Sequence, residues 1–394
     1  MGDNAGGRLA RTTRVVPGLC IIPPLAGREI AASLRFSQRH GTAALRCADF
    51  GSRRDIGLTR PTGHDAGMQC LRVLRQATSL DDLELVPEPA GTQPREPDDL
   101  LIDVRFAGVN PSDVAATMGR MPQAVFPRTP GRDWAGVVLE GPADLIGQEV
   151  FGSGGDLGIT RDGSHGARLV VPRTAAVPKP SMLTLAEAGA LGVPFVTAAL
   201  GYQRTGAPQP GEVVLVMAVN GRVGQAAAQI AALHGARVFG AARRAEQFAG
   251  PEFVPVRMID SSAEDVAETV RSETGGHGAD IVVNTVGSPY FAAANAAMAH
   301  GGRQILMSTR ERPVPFDIFT FYRGRHSFFG IDTLALDASE SAAVLLGLLP
   351  GFASGRLRPF PVRDAACFPL ARAMDAYRAV VASSRDRVVL RLGD

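Results

Sequence analysis

Two stretches of the chain carry the residue types that handle phosphate. The run VNGRVGQAAAQ, Val219–Gln229, sets Gly221 and Gly224 three apart, after the apolar VVLVM and before Gln225–Leu233, a row of good helix formers closed by Gly235. Standing alone, such a turn is equally a tight corner between strand and helix. Its strand, turn, helix context moves the reading toward a cradle for an anion. On that reading Gly221 permits backbone φ angles closed to other residues, and Gly224 lets helix and sheet approach closely. Asn220, Arg222 and Val223 complete the turn, and the N–H groups freed at the helix start face a pyrophosphate. Arg222 either adds a contact to that pyrophosphate or points to solvent.

About twenty residues beyond Gly221, where a dinucleotide fold that prefers NAD places Asp or Glu for the ribose hydroxyls, the strand ARVFGAA runs into Arg243 and Arg244. No acid follows until Glu246. Guanidinium groups suit a 2′-phosphate through charge-assisted, often bidentate bonds. One well-placed arginine favours NADP over NAD by roughly ten- to a hundred-fold. The expected cofactor is NADPH. A solvated helix start is the other reading of the two arginines, and the missing acid weighs against it.

These residues need a parallel sheet beneath them. From about Pro194 to Ile331 the apolar segments VVLVMAV, ARVFGAA, DIVVNTV and RQILMS alternate with helix-like segments, which predicts a doubly wound α/β sheet of the Rossmann type. Before it, from Cys70 to about Ala175, short runs (LLIDVRF, WAGVVL, EVFG, ARLVV) separated by Gly, Pro and Asp predict an antiparallel barrel-like domain. The tail returns to that style with LRPFPV, a helix from near Pro369 through Val381, and a last strand RVVLRL. A β-barrel interrupted by a Rossmann insert is the economical description.

Composition sets outer limits. At 394 residues and 45% hydrophobic, the chain is long enough for two domains with cores of their own. No run matches a spanning helix, since the most apolar stretch carries Glu187 and Pro194, so no membrane partner is expected. Cys20, Cys47, Cys70 and Cys367 lie far apart and fit neither a disulfide framework nor a zinc cluster, so a reducing cytoplasm is the simplest location. Of 41 basic and 39 acidic residues, ten arginines and five acids fall in residues 1–67, leaving 31 and 34 for the rest. A slightly acidic body disfavours a nucleic-acid partner. Residues 1–67 show no sustained period and are expected to be a disordered leader or a misassigned start, with Met68 as the true beginning.

In the order and spacing of several motifs, the chain from Met68 to Asp394 resembles the zinc-free quinone oxidoreductases of the medium-chain dehydrogenase/reductase superfamily. The motifs are GVNPSDV (Gly108–Val114), FPRTPGRDWAGVV (Phe126–Val138), GVPFVTAALGY (Gly192–Tyr202), the NGRVG turn, VVNTVG (Val282–Gly287) and the closing FPLARAMDAYRAVVASSRDRVVLRL. The resemblance implies a GroES-like substrate domain at 68–191 and 333–394 and a Rossmann NADPH-binding domain at 192–332, paired in a homodimer. It implies cofactor roles for Thr197 near the nicotinamide and phosphates, for Asn220 to Gly224 at the pyrophosphate, and for Arg243 and Arg244 at the 2′-phosphate. Val286 and Gly287 end a cofactor-side strand, while Met307, Ser308 and Thr309 with Gly330, Ile331 and Asp332 are matched to the nicotinamide end. Asn110 is matched to the substrate cleft and the cofactor.

Where zinc relatives carry a cysteine and a histidine, this chain has Val109–Ser112 and Arg132, and no cysteine stands near Gly192, so no catalytic zinc is expected. Tyrosines often found after the GVN segment are replaced by Met118, Met121 and Phe126, and Asp260 stands where a tyrosine often packs beside the cofactor. The expected reaction is NADPH-dependent reduction of a quinone or an α,β-unsaturated carbonyl, with an enoyl-thioester reductase or a non-enzymatic NADPH-binding protein as the alternatives. Asp113 and Asp133 read as turn caps rather than acids, and His165 as a loop histidine in solvent. Trp134, Phe319, Phe321, Tyr322 and Phe328 line a flat substrate slot or serve core and dimer contacts equally well.

Overall fold

The computed structural model describes residues 69–87, 96–244 and 247–393, so the expectations for residues 1–67 and for Glu246 lie outside the described residues. The chain opens with an antiparallel pair, β1 (Gln69–Arg72) and β2 (Glu84–Pro87). There follow β3 (Asp99–Gly108), α1 (Pro111–Thr117), β4 (Trp134–Glu140), β5 (Glu149–Gly152), β6 (Arg168–Pro172), β7 (Val177–Pro178) and the short α2 (Leu185–Ala188). The long β3 organises this part: β4, β6 and a strand from the far end of the chain all pair with it antiparallel. Its alternation of buried and partly exposed positions from Ile102 to Arg105 marks a sheet with one packed face.

A second sheet follows α3 (Gly192–Thr205). Its strands and helices run β8 (Val213–Met217), α4 (Arg222–Leu233), β9 (Arg237–Ala242), β10 (Val256–Asp260), α5 (Val266–Glu273), β11 (Ala279–Asn284), α6 (Phe291–Ala297), β12 (Met298–Leu306), α7 (Ile318–Gly324) and β13 (Ser327–Gly330). They assemble as β10-β9-β8-β11-β12-β13, all parallel, the strand order of a doubly wound Rossmann sheet. Every residue of β8 is buried, as expected of a β-branched run covered on both faces. Apolar clusters on the two faces enclose α3 and α4 on one side and α5 and α6 on the other. β10 and β13, at the two edges, are short and half exposed.

The chain then returns through α8 (Ala338–Ala353), β14 (Cys367–Pro369), α9 (Ala373–Val381) and β15 (Val389–Arg391), with β15 docking on β3. The expected interruption of one sheet by another is what the topology shows. LRPFPV, expected as a strand, pairs with no strand among the described residues and runs as irregular chain beside α8. No helix among the described residues is long and apolar enough to cross a membrane.

Candidate functional site

The C-terminal ends of β8, β9, β11, β12 and β13 meet where the strand order reverses, between β8 and β11. Crevices for ligands form at such a point in open α/β sheets. The glycine turn lies there. Gly224 has the role expected of it: a Cβ on it would come within 2.6 Å of the Ala218 carbonyl and 2.7 Å of that of Val219, so only glycine lets α4 sit so close to the end of β8. Gly221 does not. Its φ is −71°, within reach of any residue, and the left-handed position of the turn belongs to Ala218, at φ 55°. The backbone N–H groups of Arg222, Val223 and Gly224 precede the first intrahelical bond, from Gln225 to Gly221 (2.8 Å), and stand as orphan donors at the positive end of the helix. These residues fit a pyrophosphate.

Arg222 takes neither expected course. Its guanidinium lies over the Phe360 ring at 5.7 Å and donates to the Arg385 carbonyl, and burial, with Arg387 nearby, pushes its pKa down to about 10. It ties the turn to the returning chain. Asn220 faces the other way: its Oδ1 accepts from Ala249 N (2.8 Å) and its Nδ2 donates to the Gln247 carbonyl (3.2 Å), holding the loop that follows the arginines. Arg243 and Arg244 are exposed at the end of β9, and Arg244 is left-handed at φ 52°. The carboxylate of Asp260, from the end of β10, accepts the Arg244 backbone N–H (2.8 Å). The expectation of a strand end without an acid is therefore corrected. The neighbouring strand supplies one.

On the other side of the crevice, the buried Asn284 shapes the end of β11, a role its sequence context did not reveal. Its Oδ1 accepts from Val286 N (3.2 Å) and Gly287 N (2.8 Å), and its Nδ2 donates to the Gly287 carbonyl (3.1 Å). Gly287 has φ 84°, and a Cβ there would collide with the Ser308 carbonyl. Met307 packs partly against the core, while Ser308 and Thr309 are exposed. Ile331 N donates to the Leu306 carbonyl (2.8 Å), and Asp332 caps Leu334 N (2.9 Å). A Cβ on Gly330 would meet open space. Thr197, buried in α3, returns its hydroxyl to the Val193 carbonyl at 2.7 Å.

Asn110, like Thr197, is buried. It is 2% exposed and its amide donates to Asp133 Oδ2 (2.9 Å), so it belongs to a buried network rather than to an open cleft wall. Asp133 is the centre of that network: its two oxygens also accept from Ser153 Oγ (2.8 Å), Val193 N (2.7 Å) and Arg387 Nη2 (3.0 Å). A Cβ on Gly192 would collide with the same carboxylate, so that glycine lets the start of α3 close on it. The turn-cap reading holds for Asp113, which accepts from Asn110 N (2.7 Å), but understates Asp133. Burial, reinforced by the charge of Asp133 and partly offset by Arg132, raises the pKa of Asp113 to about 7.

Arg132 donates to the Gly154 carbonyl (2.9 Å) and to the Thr333 carbonyl and hydroxyl (3.2 and 3.1 Å), joining the entry of β4 to the segment after β13. Where zinc relatives place a histidine, this buried guanidinium offers only donors, so the residues present do not fit a catalytic zinc. His165, expected in solvent, is fully buried: its Nδ1 accepts from the Tyr377 hydroxyl (2.7 Å) and its Nε2 lies 3.3 Å from the Gly108 carbonyl. Burial lowers its pKa to about 4, keeping it neutral. Trp134 is a core residue, while Phe319 and Tyr322 stand exposed beside the edge strand β13.

The sequence pattern of the Zinc-binding dehydrogenase family matches residues 223–346, and that of the Alcohol dehydrogenase GroES-like domain matches residues 96–181. A zinc-type alcohol dehydrogenase-like protein of Schizosaccharomyces pombe is 31% identical over 316 residues, 79% of this chain and 92% of the relative. A quinone oxidoreductase-like protein 2 homolog of Nematostella vectensis is 31% identical over 220 residues, 54% of this chain and 59% of the relative. Among solved structures, an NAD-dependent alcohol dehydrogenase is 27% identical at a TM-score of 0.73, covering 83% of this chain and 100% of that one. The CurK enoyl reductase shares the fold at 23% identity and a TM-score of 0.66, covering 82% and 99%.

Proposed function

Because the chain belongs to the medium-chain dehydrogenase/reductase superfamily of oxidoreductases, which act on small molecules with a nicotinamide cofactor, we propose that it is a zinc-independent NADPH-dependent reductase of quinones or α,β-unsaturated carbonyls. The observation that carries the proposal is the orphan N–H cradle at Arg222–Gly224 with Arg243 and Arg244 exposed at the adjacent strand end. We assign the substrate to the cleft between the 192–332 part and the 68–191 and 333–394 part. A bound nicotinamide supplies the reducing equivalent. The chain's own part is to hold and orient. Gly221–Gly224 receive the pyrophosphate, Val286 and Gly287 with Met307–Thr309 and Gly330–Asp332 frame the nicotinamide end, and Thr197 supports it from α3. Arg132 and Asp133 fix the barrel side against the segment after β13 and the start of α3, which keeps the two walls in register and water out.

Titration of the purified protein with NADPH and NADH, followed by NADPH consumption with benzoquinone, phenanthrenequinone and a panel of enones, tests this reading. Turnover with at least one acceptor and tighter binding of NADPH are expected. Tight binding without consumption of any acceptor would instead make it a non-enzymatic NADPH-binding protein. A second reading, an enoyl-thioester reductase, draws support from the likeness to the CurK enoyl reductase, and 2-enoyl thioesters turned over in preference to quinones would select it. We also assign the protein to a homodimer through β13, an edge flanked by exposed Ile318 (67%), Phe319 (65%) and Tyr322 (56%), a state that sedimentation would reveal.

A further inference from the structure

The strand end that carries Arg243 and Arg244 also carries an acid from its neighbour. Parallel pairing sets Asp260 of β10 opposite Ala242 of β9, and Ser261 N donates to the Ala242 carbonyl at 3.1 Å. Asp260 Oδ1 is fully engaged, accepting from Arg244 N (2.8 Å), Ser262 N (2.9 Å) and Ser262 Oγ (2.6 Å). Among the described residues its Oδ2 has no hydrogen-bond partner and no cation is paired with it. The second acid of this corner, Glu264, accepts Asp260 N (2.8 Å) and is answered by Arg257 at 3.3 Å. Arg257 also pairs with Glu273 (2.7 Å) and so is not available to Asp260. The Ser262 hydroxyl and the backbone N–H groups hold the Asp260 carboxyl below the usual carboxylate range, with a smaller contribution from Arg244, so it is ionised at neutral pH.

A carboxylate accepts hydrogen bonds and donates none, so it welcomes a ribose 2′-hydroxyl and repels a 2′-phosphate, whereas the two guanidiniums do the reverse. We infer that Asp260 is a specificity-determining residue that takes, from β10, the place an acid at the end of β9 holds in NAD-preferring folds, and that it reduces the preference for the 2′-phosphorylated cofactor and admits NADH. This rests on the proposed nicotinamide site. It does not require that the arginines prevail.

Calorimetric Kd values for NADPH and NADH, and for adenosine 2′,5′-bisphosphate against adenosine 5′-monophosphate, test the inference on the full chain. Wild-type protein is expected to favour NADPH by less than about ten-fold, short of what two arginines alone would give. Asp260→Asn keeps the acceptor for Arg244 and Ser262 and removes one unit of charge. It should raise the NADPH to NADH affinity ratio about ten-fold, the size expected for one charge a few ångströms from a phosphate in water. Asp260→Ser, a second uncharged variant, should do the same. An unchanged ratio in both variants, or a wild-type preference above about a hundred-fold, overturns the inference. The double variant Arg243→Ala/Arg244→Ala separates the two claims. If it leaves NADPH affinity intact, the arginine reading fails while the Asp260 comparison still stands or falls by itself.

Discussion

Replacing Asp133 by alanine removes the acceptor shared by Asn110 Nδ2, Ser153 Oγ, Val193 N and Arg387 Nη2, all within 3.0 Å of its oxygens. Asp133 is completely buried and Arg387 is 3% exposed, so solvent screens neither charge. Leaving a buried guanidinium without its carboxylate costs about 3–5 kcal/mol. The three neutral donors add roughly 1–3 kcal/mol each where they stay dry, but water entering the space left by the side chain recovers part of that. The expected loss is thus about 5 kcal/mol, against a total stability on the order of 5–15 kcal/mol. Asp133→Asn keeps an acceptor and loses only the charge, so it should fall between wild type and alanine.

Urea denaturation at neutral pH reads the midpoints directly. In the double variant Asp133→Ala/Arg387→Met the orphaned charge leaves together with its partner, so the combined loss should be smaller than the sum of the single losses by about 2 kcal/mol or more. What remains is the loss of the bonds Arg387 makes to the Ala190 and Val109 carbonyls. A loss below about 1 kcal/mol for Asp133→Ala, or strict additivity in the double variant, would refute the claim that this carboxylate holds the start of α3 against α1.

Three further outcomes follow from the same geometry. Gly224→Ala should cost about 1–3 kcal/mol and weaken dinucleotide binding, because its Cβ meets the backbone oxygens of Ala218 and Val219, whereas Gly221→Ala, whose nearest neighbour is 3.3 Å away, should cost less than about 1 kcal/mol; thermal melts and calorimetry compare the pair. Asp113 has a folded pKa of about 7 against an ordinary 3.8, so its contribution is complete below pH 3.8 and is lost as pH rises through 7; the stability of Asp113→Asn relative to wild type should therefore climb across that window and level off above it, and a flat difference would contradict the burial argument. His165 is shifted the other way, from 6.5 to about 4, so stability is lost as pH falls through that interval, and its imidazole NMR signals should stay those of a neutral ring at pH 6.

Much of this site could be read in the sequence because its causes are local. Gly224 is required by the closeness of α4 to the strand just before it, and strand, turn and helix are contiguous in the chain. The β-branched VVLVM, buried on both faces, announces a central parallel strand. The edge strands were the hard cases. In β10, VRMID mixes charge and bulk in a half-exposed strand, and in β13, SFFG spans four residues, so neither shows the continuous apolar run that marks the interior strands. The turn itself shows a smaller failure of the same kind. A glycine in a turn suggests a left-handed residue, yet here that conformation falls on Ala218, one peptide past the end of β8, while Gly221 is an ordinary helix cap.

What the sequence concealed is carried by contacts between segments far apart in the chain. Arg132 meets Thr333 across 201 positions and Arg387 meets Asp133 across 254, and no periodicity or spacing rule links residues so separated. The corner where Arg244 meets Asp260 shows the same point at closer range. Scanning the end of β9 for an acid asks a one-dimensional question, whereas parallel pairing delivers the end of β10 to the same place with its own side chain, sixteen residues further along. The charge of that corner is the sum over both strand ends. An arginine count at the end of β9 alone therefore overstates the positive charge of this corner by whatever Asp260 takes back, and that charge belongs to a strand pair rather than to a motif.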